Sequence, residues 1–250
     1  MTNINVIIQA RMGSSRLPNK IMKQLGNKTS IEHTLERVKK SKLINNVIIA
    51  TTTNKEDDSI AYFCDENNII YYRGSESDVL SRYYQSALIS NTDIVVRCTG
   101  DCPLIDPNIL SDMIKKFLEL DIKYYSMDYY NGNQTFPDGF DITMFTFEVL
   151  QEAYNNAKTK YDREHVGPYI IRKYGNHKYK IPINKEYKNL NLNNLHLSLD
   201  TSDDYKVLQN IFDNVYSKKK DFDLYDVLDY LNDNPDVIVN NENNIDLYNE

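Results

Sequence analysis

The sequence predicts an α/β fold, a doubly wound and mostly parallel sheet with helices on both faces. In the first half of the chain, short continuous apolar segments rich in Val and Ile are typical of strands that are buried on both faces. Amphipathic helical patterns separate these segments, and this alternation favours parallel strands joined by helices. The alternation breaks in the second half, where we expect a small β-containing insertion.

The first half carries four strand signals and four helix signals. The predicted strands are 5–8, 47–50, 69–72 and 94–97. The first helix begins at Thr29, because Thr29 and Glu32 match a capping box. Apolar stripes predict a second helix around Ile60 and a third over 79–88. Asp106-Pro107 opens the fourth helix, since Pro is favoured in the first turn of a helix.

The second half has a less regular order of elements. Strand patterns lie over 123–127, 139–147, 179–183 and, with apolar and polar residues alternating, 195–199. Helical patterns lie over 147–154 and 162–174, after Asp200, and from Asp221. The segment 240–250 is rich in Asn and Asp, so we expect a mobile tail there.

Composition excludes several classes of protein. The 250 residues carry 29 Lys and Arg against 36 Asp and Glu, a net charge of −7, whereas general binding of nucleic acid or anionic membranes needs a basic surface. No segment approaches the roughly 18 apolar residues of a membrane span, and the amino-terminal residues do not match a signal peptide. The three Cys form no CxxC pair, which argues against a disulfide scaffold or an all-Cys zinc site. We therefore expect a cytoplasmic protein.

Residues 10–20, which we call the basic loop, follow the first predicted strand, and parallel sheets bind ligands at such strand ends. The loop combines cations, hydroxyls and a glycine in Ala10, Arg11, Gly13, Ser14, Ser15, Arg16 and Lys20. Cations and backbone N–H groups are the donors that a polyphosphate needs. The loop matches neither a Walker A motif nor GxGxxG, so a solvated basic loop with an ordinary turn is the alternative.

Two acidic residues that follow predicted strands are candidate metal ligands. Asp101 follows the fourth strand, within Thr99-Gly100-Asp101-Cys102-Pro103, and Asp200 follows the alternating segment. Asp101 would lie across from the basic loop and hold Mg²⁺ on phosphate oxygens, with Asp200 as a second carboxylate. Alternatively, Asp101 is a helix-capping or turn residue, and one of Asp200, Thr201 and Ser202 caps the following helix.

Other polar residues are weaker candidates. Asp138 and Asp141 flank Gly139 in a pattern that is typical of a turn. The acids of 162–165 lie at a predicted helix start, where they complement the helix dipole, and a role in substrate binding is equally compatible with them.

The cysteines, histidines and tyrosines give no catalytic pattern. Cys98 and Cys102 are predicted to pack rather than to bind metal. The surroundings of His33, His177 and His196 in sequence suggest no triad, so we expect these residues to be structural or exposed. Tyr124, Tyr125, Tyr129 and Tyr130 are expected to pack in the core, at the surface or at an interface.

Together these motifs resemble the SpsF-like, spore-coat-polysaccharide branch of the cytidylyltransferases, which is similar to the 3-deoxy-manno-octulosonate and acylneuraminate cytidylyltransferases. The matching segments are Gln9 to Lys20, Arg73 to Tyr83, Thr99 to Pro107, Phe136 to Asp141, Arg163 to Val166 and Leu199 to Thr201. They span nearly the whole chain in order. Asn19 stands where Gly is usual and Ser202 where Pro is usual, but neither change removes a functional group.

The resemblance implies a role for individual residues. Nucleotide-binding residues would be Ala10, Arg11, Gly13, Ser14, Arg16, Lys20, Gly74, Ser75, Thr99 and Asp101. Among them, Arg11, Arg16 and Lys20 would surround the triphosphate, and Arg11, Lys20 and Asp101 would be the catalytic residues. Asp101 and Asp200 would hold Mg²⁺. His165 would contact the acceptor, while Asp141 and Glu164 would shape its site.

The implied function is the transfer of CMP from CTP to an acidic sugar or a similar small acceptor, with release of pyrophosphate, for surface polysaccharide synthesis. The implied fold is like that of GT-A nucleotide-diphospho-sugar transferases. We expect one domain over 1–239, with a nucleotide-binding half over 1–120, an acceptor and homodimerisation half over 121–200 and carboxy-terminal helices over 201–239. The alternatives are a GT-A-type glycosyltransferase, a sugar nucleotidyltransferase specific for another NTP, and a catalytically silent nucleotide-binding scaffold or sensor.

Overall fold

A computed structural model describes residues 2–127, 137–180, 183, 185–192 and 195–238. Its strands are β1 Ile4–Gln9, β2 Gln24–Leu25, β3 Lys28–Thr29, β4 Asn46–Thr52, β5 Ile70–Gly74, β6 Ile94–Thr99, β7 Tyr124–Met127, β8 Thr143–Thr146 and β9 His177–Tyr179. Its α-helices are α1 Ser30–Lys39, α2 Asp58–Glu66, α3 Val79–Ile89, α4 Pro107–Leu120, α5 Phe147–Asn156, α6 Lys160–His165, α7 Gly167–Tyr174, α8 Ser202–Ile211 and α9 Leu224–Asp233. The first half follows the predicted order, and each of its four long strands runs one or two residues further than predicted.

The main sheet has seven strands in the order β5-β4-β1-β6-β8-β7-β9. The first four are parallel, whereas β8 is antiparallel to both β6 and β7, and β9 is parallel to β7. Gln9 at the end of β1 is in register with Ala50 of β4 and Thr99 of β6. The carboxyl ends of these strands therefore share one edge, and the prediction of a doubly wound, mostly parallel sheet is confirmed.

Apolar side chains cover both faces of this sheet. Val6 and Ile8 pack into a large core with α1, α4, α8 and α9, while Ile7 packs on the opposite face with α3, α5 and α7. Successive side chains of a strand point to opposite faces, so a continuous apolar strand needs a helical layer on each side. The predicted helices on both faces are confirmed.

Side-chain caps fix the helix starts that the sequence signals. Thr29 and Glu32 form the expected capping box at α1. Asp106 caps α4 by accepting hydrogen bonds from the backbone N–H groups of Asn108 and Ile109. Its second carboxylate oxygen accepts from the N–H of Leu224, 2.8 Å away, and so ties the start of α9 to the start of α4.

The second half differs from the prediction at several points. The helix expected over 162–174 is two helices, α6 and α7, because Val166 between them has φ 66°. Pro168 follows this break, and since proline has no N–H it cannot continue the hydrogen bonding of α6. The strand expected over 179–183 is instead β9, and residues 181 and 182 lie outside the described residues.

Two predicted strands are largely irregular. Of the strand expected over 139–147, only Thr143–Thr146 forms a ladder. The alternating segment 195–199 forms no strand in the part of the chain that the structure describes. It is held instead by an isolated bridge between Asp138 and His196 and by the hydrogen bond from the N–H of Leu199 to the carbonyl of Asp101, 2.8 Å long. Alternation predicted a strand here, but within the described residues the segment pairs through one isolated bridge, which does not make a ladder.

Tyr124 and Tyr125 are buried within the chain, at 5% and 4% exposure, and pack in the core. Tyr129, Tyr130 and the tail 240–250 lie outside the described residues, and the homodimer stays a prediction. Among the helices that the structure describes, none is long and apolar enough to cross a membrane.

Candidate active site

A cleft of about 870 Å³ opens at the carboxyl ends of β1, β4 and β6. Predicted site residues that line it are Ala10, Arg11, Gly13, Ser14, Arg16, Lys20, Ser75, Thr99, Asp101, Glu164, His165 and Asp200. Gly74 and Asp141 are not among the described residues that line it. Residues far apart in the chain therefore meet where an open α/β sheet binds its ligands.

Hydrogen bonds from neighbouring elements shape the basic loop. The N–H of Ala10 extends the pairing with β4 by donating to the carbonyl of Ala50, 3.1 Å away. The carboxylate of Asp57 accepts from the N–H of Met12 at 2.6 Å, and the N–H of Asn19 donates back to the carbonyl of Met12 at 3.2 Å. The loop is thus folded back on itself, which brings its cations toward the cleft.

Lys20 joins the two predicted metal carboxylates. Its ammonium lies 2.9 Å from Asp200 Oδ1 and donates a short hydrogen bond to Asp101 Oδ2. Burial opposes the charge of Lys20, but the two carboxylates outweigh it and raise the pKa of Lys20 above its usual range. Arg16 adds a second cation, 2.9 Å from the same oxygen of Asp200. Asp101 and Asp200 therefore converge on one positive charge beside the basic loop.

The alternative role of Asp200 as a helix cap is excluded. Thr201 is the N-cap of α8 and forms a capping box with Asp204. The side chain of Asp200 turns instead toward the cleft, where it contacts Lys20 and Arg16. The alternative for Asp101 as an ordinary turn residue does not explain its contact with Lys20.

His196 is a site residue that the sequence analysis missed. Its Nδ1 contacts Asp138 Oδ2 at short range, and its Nε2 lies 3.0 Å from Ser198 Oγ and 3.4 Å from Asp200 Oδ2. Burial favours the neutral ring, but the carboxylates of Asp138 and Asp200 raise the pKa of His196 to about 10. His196 was expected to be structural or exposed, and it is buried, at 5% exposure; its contacts with Ser198 and two carboxylates were not expected. The alternation of 195–199 was the available signal, since it places residues 196, 198 and 200 on one face.

Gly139 allows this close approach of the two segments. Its φ is +100°, and a Cβ at this position would lie 2.4 Å from the backbone carbon of Leu197. Any larger residue would push Asp138 away from His196. The other histidines fulfil the prediction: His33 is buried, with Nε2 2.8 Å from the carbonyl of Leu25, and His177 is exposed.

Asp141 is half-buried and is not among the described residues that line the cleft. It accepts a hydrogen bond from the N–H of Gly139, 3.2 Å away. Burial and the neighbouring carboxylate of Asp138 raise the pKa of Asp141 well above its usual range. Cys98 and Cys102 are buried in the core, at 1% and 2% exposure, which agrees with the predicted packing role.

The wall of the cleft after β5 contains polar residues that were not predicted. Glu76 accepts hydrogen bonds from Arg11 at 2.6 Å and from Asn54 at 2.8 Å. Arg82, only 3% exposed, donates through Nη1 to the carbonyls of Ser75 and Glu76.

Gly74 supports this wall from outside the cleft. A Cβ on it would lie 2.9 Å from Tyr72 Cε1 and 3.1 Å from Arg82 Cγ, so glycine lets both side chains pack closely. Glu76 and Arg82 both lie inside the segment Arg73 to Tyr83 that already matched the family, and that motif was the available signal. The role of Arg82 depends on tertiary neighbours.

The remaining wall comes from α6. Arg163 pairs with Asp78, the N-cap of α3, and its Nη1 donates to the carbonyl of Tyr154, 2.7 Å away. This anchors α6 so that the exposed side chains of Glu164 and His165 line the cleft. Arg97 of β6 also lines the cleft.

The chain matches the model of the cytidylyltransferase family over residues 5–249. It is 36% identical over 234 residues to the uncharacterised protein MJ1063 of Methanocaldococcus jannaschii, covering 92% of this chain and 91% of the relative. It is 27% identical over 250 residues to the spore coat polysaccharide biosynthesis protein SpsF of Bacillus subtilis, covering 97% and 99%. A solved structure of a cytidylyltransferase from Leptospira borgpetersenii superimposes with a TM-score of 0.85 and 34% identity, covering 96% and 98%.

This chain belongs to the cytidylyltransferase family. The resemblance to the spore-coat branch is confirmed, and the chain is a nucleotidyltransferase rather than a glycosyltransferase or a silent scaffold.

Proposed function

We propose that this cytidylyltransferase moves CMP from CTP to a small acidic acceptor, releases pyrophosphate and uses Mg²⁺ held by Asp101 and Asp200. The observation that carries the proposal is the convergence of these two carboxylates on Lys20 at the edge of the basic loop. Three cations and two acids in one cleft suit a triphosphate with its metal.

The donor set fits Mg²⁺. Among the described residues, no three Asp, Glu, His or Cys side chains converge as a protein-only metal centre. Mg²⁺ is usually bound by one or two carboxylates together with substrate phosphates and water, so a pair of Asp beside a phosphate site is the appropriate number. Asp101 and Asp200 already hold a cation, the ammonium of Lys20, between them. The bound metal would neutralise phosphate charge and lower the pKa of an acceptor hydroxyl.

The basic loop would hold the triphosphate. Arg11, Arg16 and Lys20 line the cleft with Gly13 and Ser14, and each cation would exchange its present carboxylate partner for phosphate oxygens. Ser75 and Thr99 would border the nucleoside.

The reaction would be an in-line displacement. An acceptor hydroxyl releases its proton to water and its oxygen attacks the α-phosphorus of CTP. A new P–O bond forms, and the bond from the α-phosphorus to the oxygen of the β-phosphate breaks, so that pyrophosphate leaves with the electron pair. Lys20 and Arg16 would stabilise the charge that develops on pyrophosphate, since positioning and charge stabilisation dominate such chemistry. Glu164 and His165 would contact the acceptor from the opposite wall, with Asp141 shaping the site from behind.

Thermal unfolding with CTP, UTP, ATP and GTP, each with and without Mg²⁺, tests the donor half without a known acceptor. A ligand at 100 times its Kd adds about 2.7 kcal/mol, which for a chain of this size raises the Tm by roughly 5–10 °C. We expect a shift that is selective for CTP and depends on Mg²⁺. A preference for UTP or ATP would overturn the cytidylyl assignment, and no shift with any nucleotide would overturn the proposal.

A further inference from the structure

We propose that Arg97 is the anchor of an anion subsite in the cleft, and that it binds an oxyanion of the acceptor, a carboxylate or a phosphate. This inference rests on the proposed function and names the residue by which that function would select acidic acceptors. Arg97 is half-buried on β6, two residues before the strand ends at Thr99, and it lines the cleft that Glu164 and His165 close.

Arg97 is poorly satisfied by the protein itself. Its Nη2 donates one long hydrogen bond, 3.3 Å, to Gln9 Oε1. Its Nε is buried from solvent and has no hydrogen-bond partner among the described residues. Within the same part of the chain, no carboxylate lies within ion-pair distance of its guanidinium. Buried donors are normally satisfied, so an exception that lines a cleft points to a ligand.

Asp141 acts on Arg97 electrostatically, but the described structure shows no ion pair between them. Burial and the adjacent Asp138 raise the pKa of Asp141 well above its usual range, which disfavours a negative charge at that carboxyl. The carboxylate of Asp138 is in turn engaged by His196. Within the described residues, Arg97 therefore lines the cleft without a carboxylate partner.

The other arginines and the lysine of the cleft have protein partners. Arg11 pairs with Glu76, Arg16 with Asp200, and Lys20 with two aspartates. Arg82 also has a buried Nε without a partner, but its Nη1 donates to two backbone carbonyls. Arg97 differs from all four, because a single amide oxygen is its hydrogen-bond acceptor in the described structure.

The position of Arg97 assigns it to the acceptor rather than to CTP. On β6 it is in register with Thr143 of β8, on the far side of β1 from the Glu76 wall. The guanidinium lies 5.7 Å from the ring centroid of buried Tyr83, which holds it in orientation. A planar, oriented guanidinium binds a carboxylate or phosphate through two parallel hydrogen bonds. An acceptor bound there would extend toward Asp101, which follows the same strand.

The first test needs no acceptor. Arg97→Met removes the charge and keeps much of the length of the side chain. If Arg97 serves a ligand, this variant keeps the Tm of the wild type within about 2 °C or exceeds it, because an unsatisfied donor has been removed. Arg82→Met is the matched comparison and should lose several degrees, since its guanidinium supports the loop carbonyls. A loss of stability in Arg97→Met as large as in Arg82→Met would make Arg97 structural and overturn the proposal.

The second test measures pyrophosphate release with CTP and Mg²⁺ on a panel of sugar acids, sugar phosphates and their neutral counterparts. We expect activity with an acidic acceptor, a KM for that acceptor at least 100-fold higher in Arg97→Met, and partial recovery in Arg97→Lys. The KM for CTP should stay within about twofold. The active class of acceptor decides between carboxylate and phosphate. A neutral acceptor that is preferred by the wild type, or an unchanged acceptor KM in Arg97→Met, would overturn the proposal.

Failure of the proposed function gives a different result. If CTP produces no Mg²⁺-dependent thermal shift, the donor assignment fails whatever the Arg97 variants do. If CTP binds in both wild type and Arg97→Met but acidic acceptors are not used, the donor assignment stands and the anion subsite falls.

Discussion

The two sides of the cleft hold their positive charges in different ways. In the basic loop, Arg11, Arg16 and Lys20 each lie against a carboxylate, whereas Arg97 on β6 has one amide oxygen as its hydrogen-bond partner in the described structure. On the proposed nucleotide side, each of these three cations therefore has a carboxylate partner that phosphates would replace. On the proposed acceptor side, Arg97 has no carboxylate partner among the described residues. Binding of CTP should therefore respond to the removal of an acidic side chain, and binding of the acceptor to the removal of Arg97.

Removing a carboxylate from the nucleotide side should have the largest effect. In Asp101→Asn, we expect turnover to fall by about 10³-fold or more while the Tm changes by only a few degrees, because the proposed Mg²⁺ would lose one of its two protein ligands. Pyrophosphate release at saturating CTP and thermal unfolding measure the two quantities.

Asp229→Asn is a matched control for Asp101→Asn, since Asp229 pairs with Lys185 at the surface and is 49% exposed. It should leave turnover within about twofold. Nearly full activity in Asp101→Asn would remove Asp101 from the mechanism.

Removing the cation between the two carboxylates should have the next largest effect. In Lys20→Met we expect turnover to fall by about 10²-fold, through lost stabilisation of the leaving pyrophosphate. Mg²⁺ alone should also stabilise this variant more than the wild type, because no ammonium competes for Asp101 and Asp200. Thermal unfolding against Mg²⁺ concentration measures this.

Lys206→Met, which removes a 72% exposed partner of Asp203, serves as the control for Lys20→Met. It should respond to Mg²⁺ as the wild type does. If Lys20→Met also responds like the wild type, the two carboxylates do not form the metal site.

The parallel half of the fold was predictable because its signals are local. Buried strands such as 47–50 are apolar throughout, and caps such as Thr29 lie within three residues of their partners. The second half was predictable only in part: β7, α5, α8 and α9 follow their predicted segments, but the pairing around Asp138 joins distant segments through single contacts. Asp138 and His196 meet only in the folded chain, and Gly139 is needed for that contact through a close approach to Leu197.

The candidate site divides in the same way. The basic loop, Asp101 and Asp200 stand out because a motif and a strand end identify them from neighbouring residues. His196 and Arg97 do not, since what distinguishes them is their surroundings in space. A histidine between two aspartates and an arginine without a carboxylate are properties of the fold that spacing does not encode.

The contacts of His196 with Asp138 and Asp200 predict how the stability of the fold depends on pH. The pKa of His196 is raised to about 10 by Asp138 and Asp200, from an ordinary value of 6.5, so its charge stabilises the fold. That contribution is fully present below about pH 6.5 and is lost as the pH rises through about 10. We expect the free energy of unfolding to fall by at least about 1 kcal/mol between pH 7 and pH 10 through this group.

Urea unfolding of wild type and His196→Gln over this pH range isolates the contribution. The variant should be less stable at pH 7 and should lose less stability toward pH 10 than the wild type does. His177→Gln, at an exposed position, should keep the slope of the wild type. Parallel slopes in wild type and His196→Gln would mean that the buried ring is uncharged.

The smallest effect is expected for the ion pair between Arg11 and Glu76, which is the most exposed of the ion pairs that the basic loop makes in the described structure. Arg11 and Glu76 are 51% and 44% exposed, and exposed ion pairs contribute little to stability. The hydrogen bond from Asn54 and then the charge of Arg11 keep the pKa of Glu76 below its usual range. The side chain of Glu76 is therefore an anion that pairs with the cation of Arg11. Glu76→Gln should release Arg11 for phosphate and lower the KM for CTP by about two- to threefold, with a Tm change below about 2 °C.

Glu56→Gln separates this pairing from a general change of charge. Glu56 lies beside Gly13 at the same loop, and the described structure gives it no ion pair with Arg11. Both variants lose one negative charge near the triphosphate, but only Glu76→Gln frees a cation, so only it should lower the KM beyond the small common effect. A KM for CTP that rises in Glu76→Gln would mean that Glu76 binds the nucleotide directly, and the balance on this side would then rest on Asp101 and Asp200 alone.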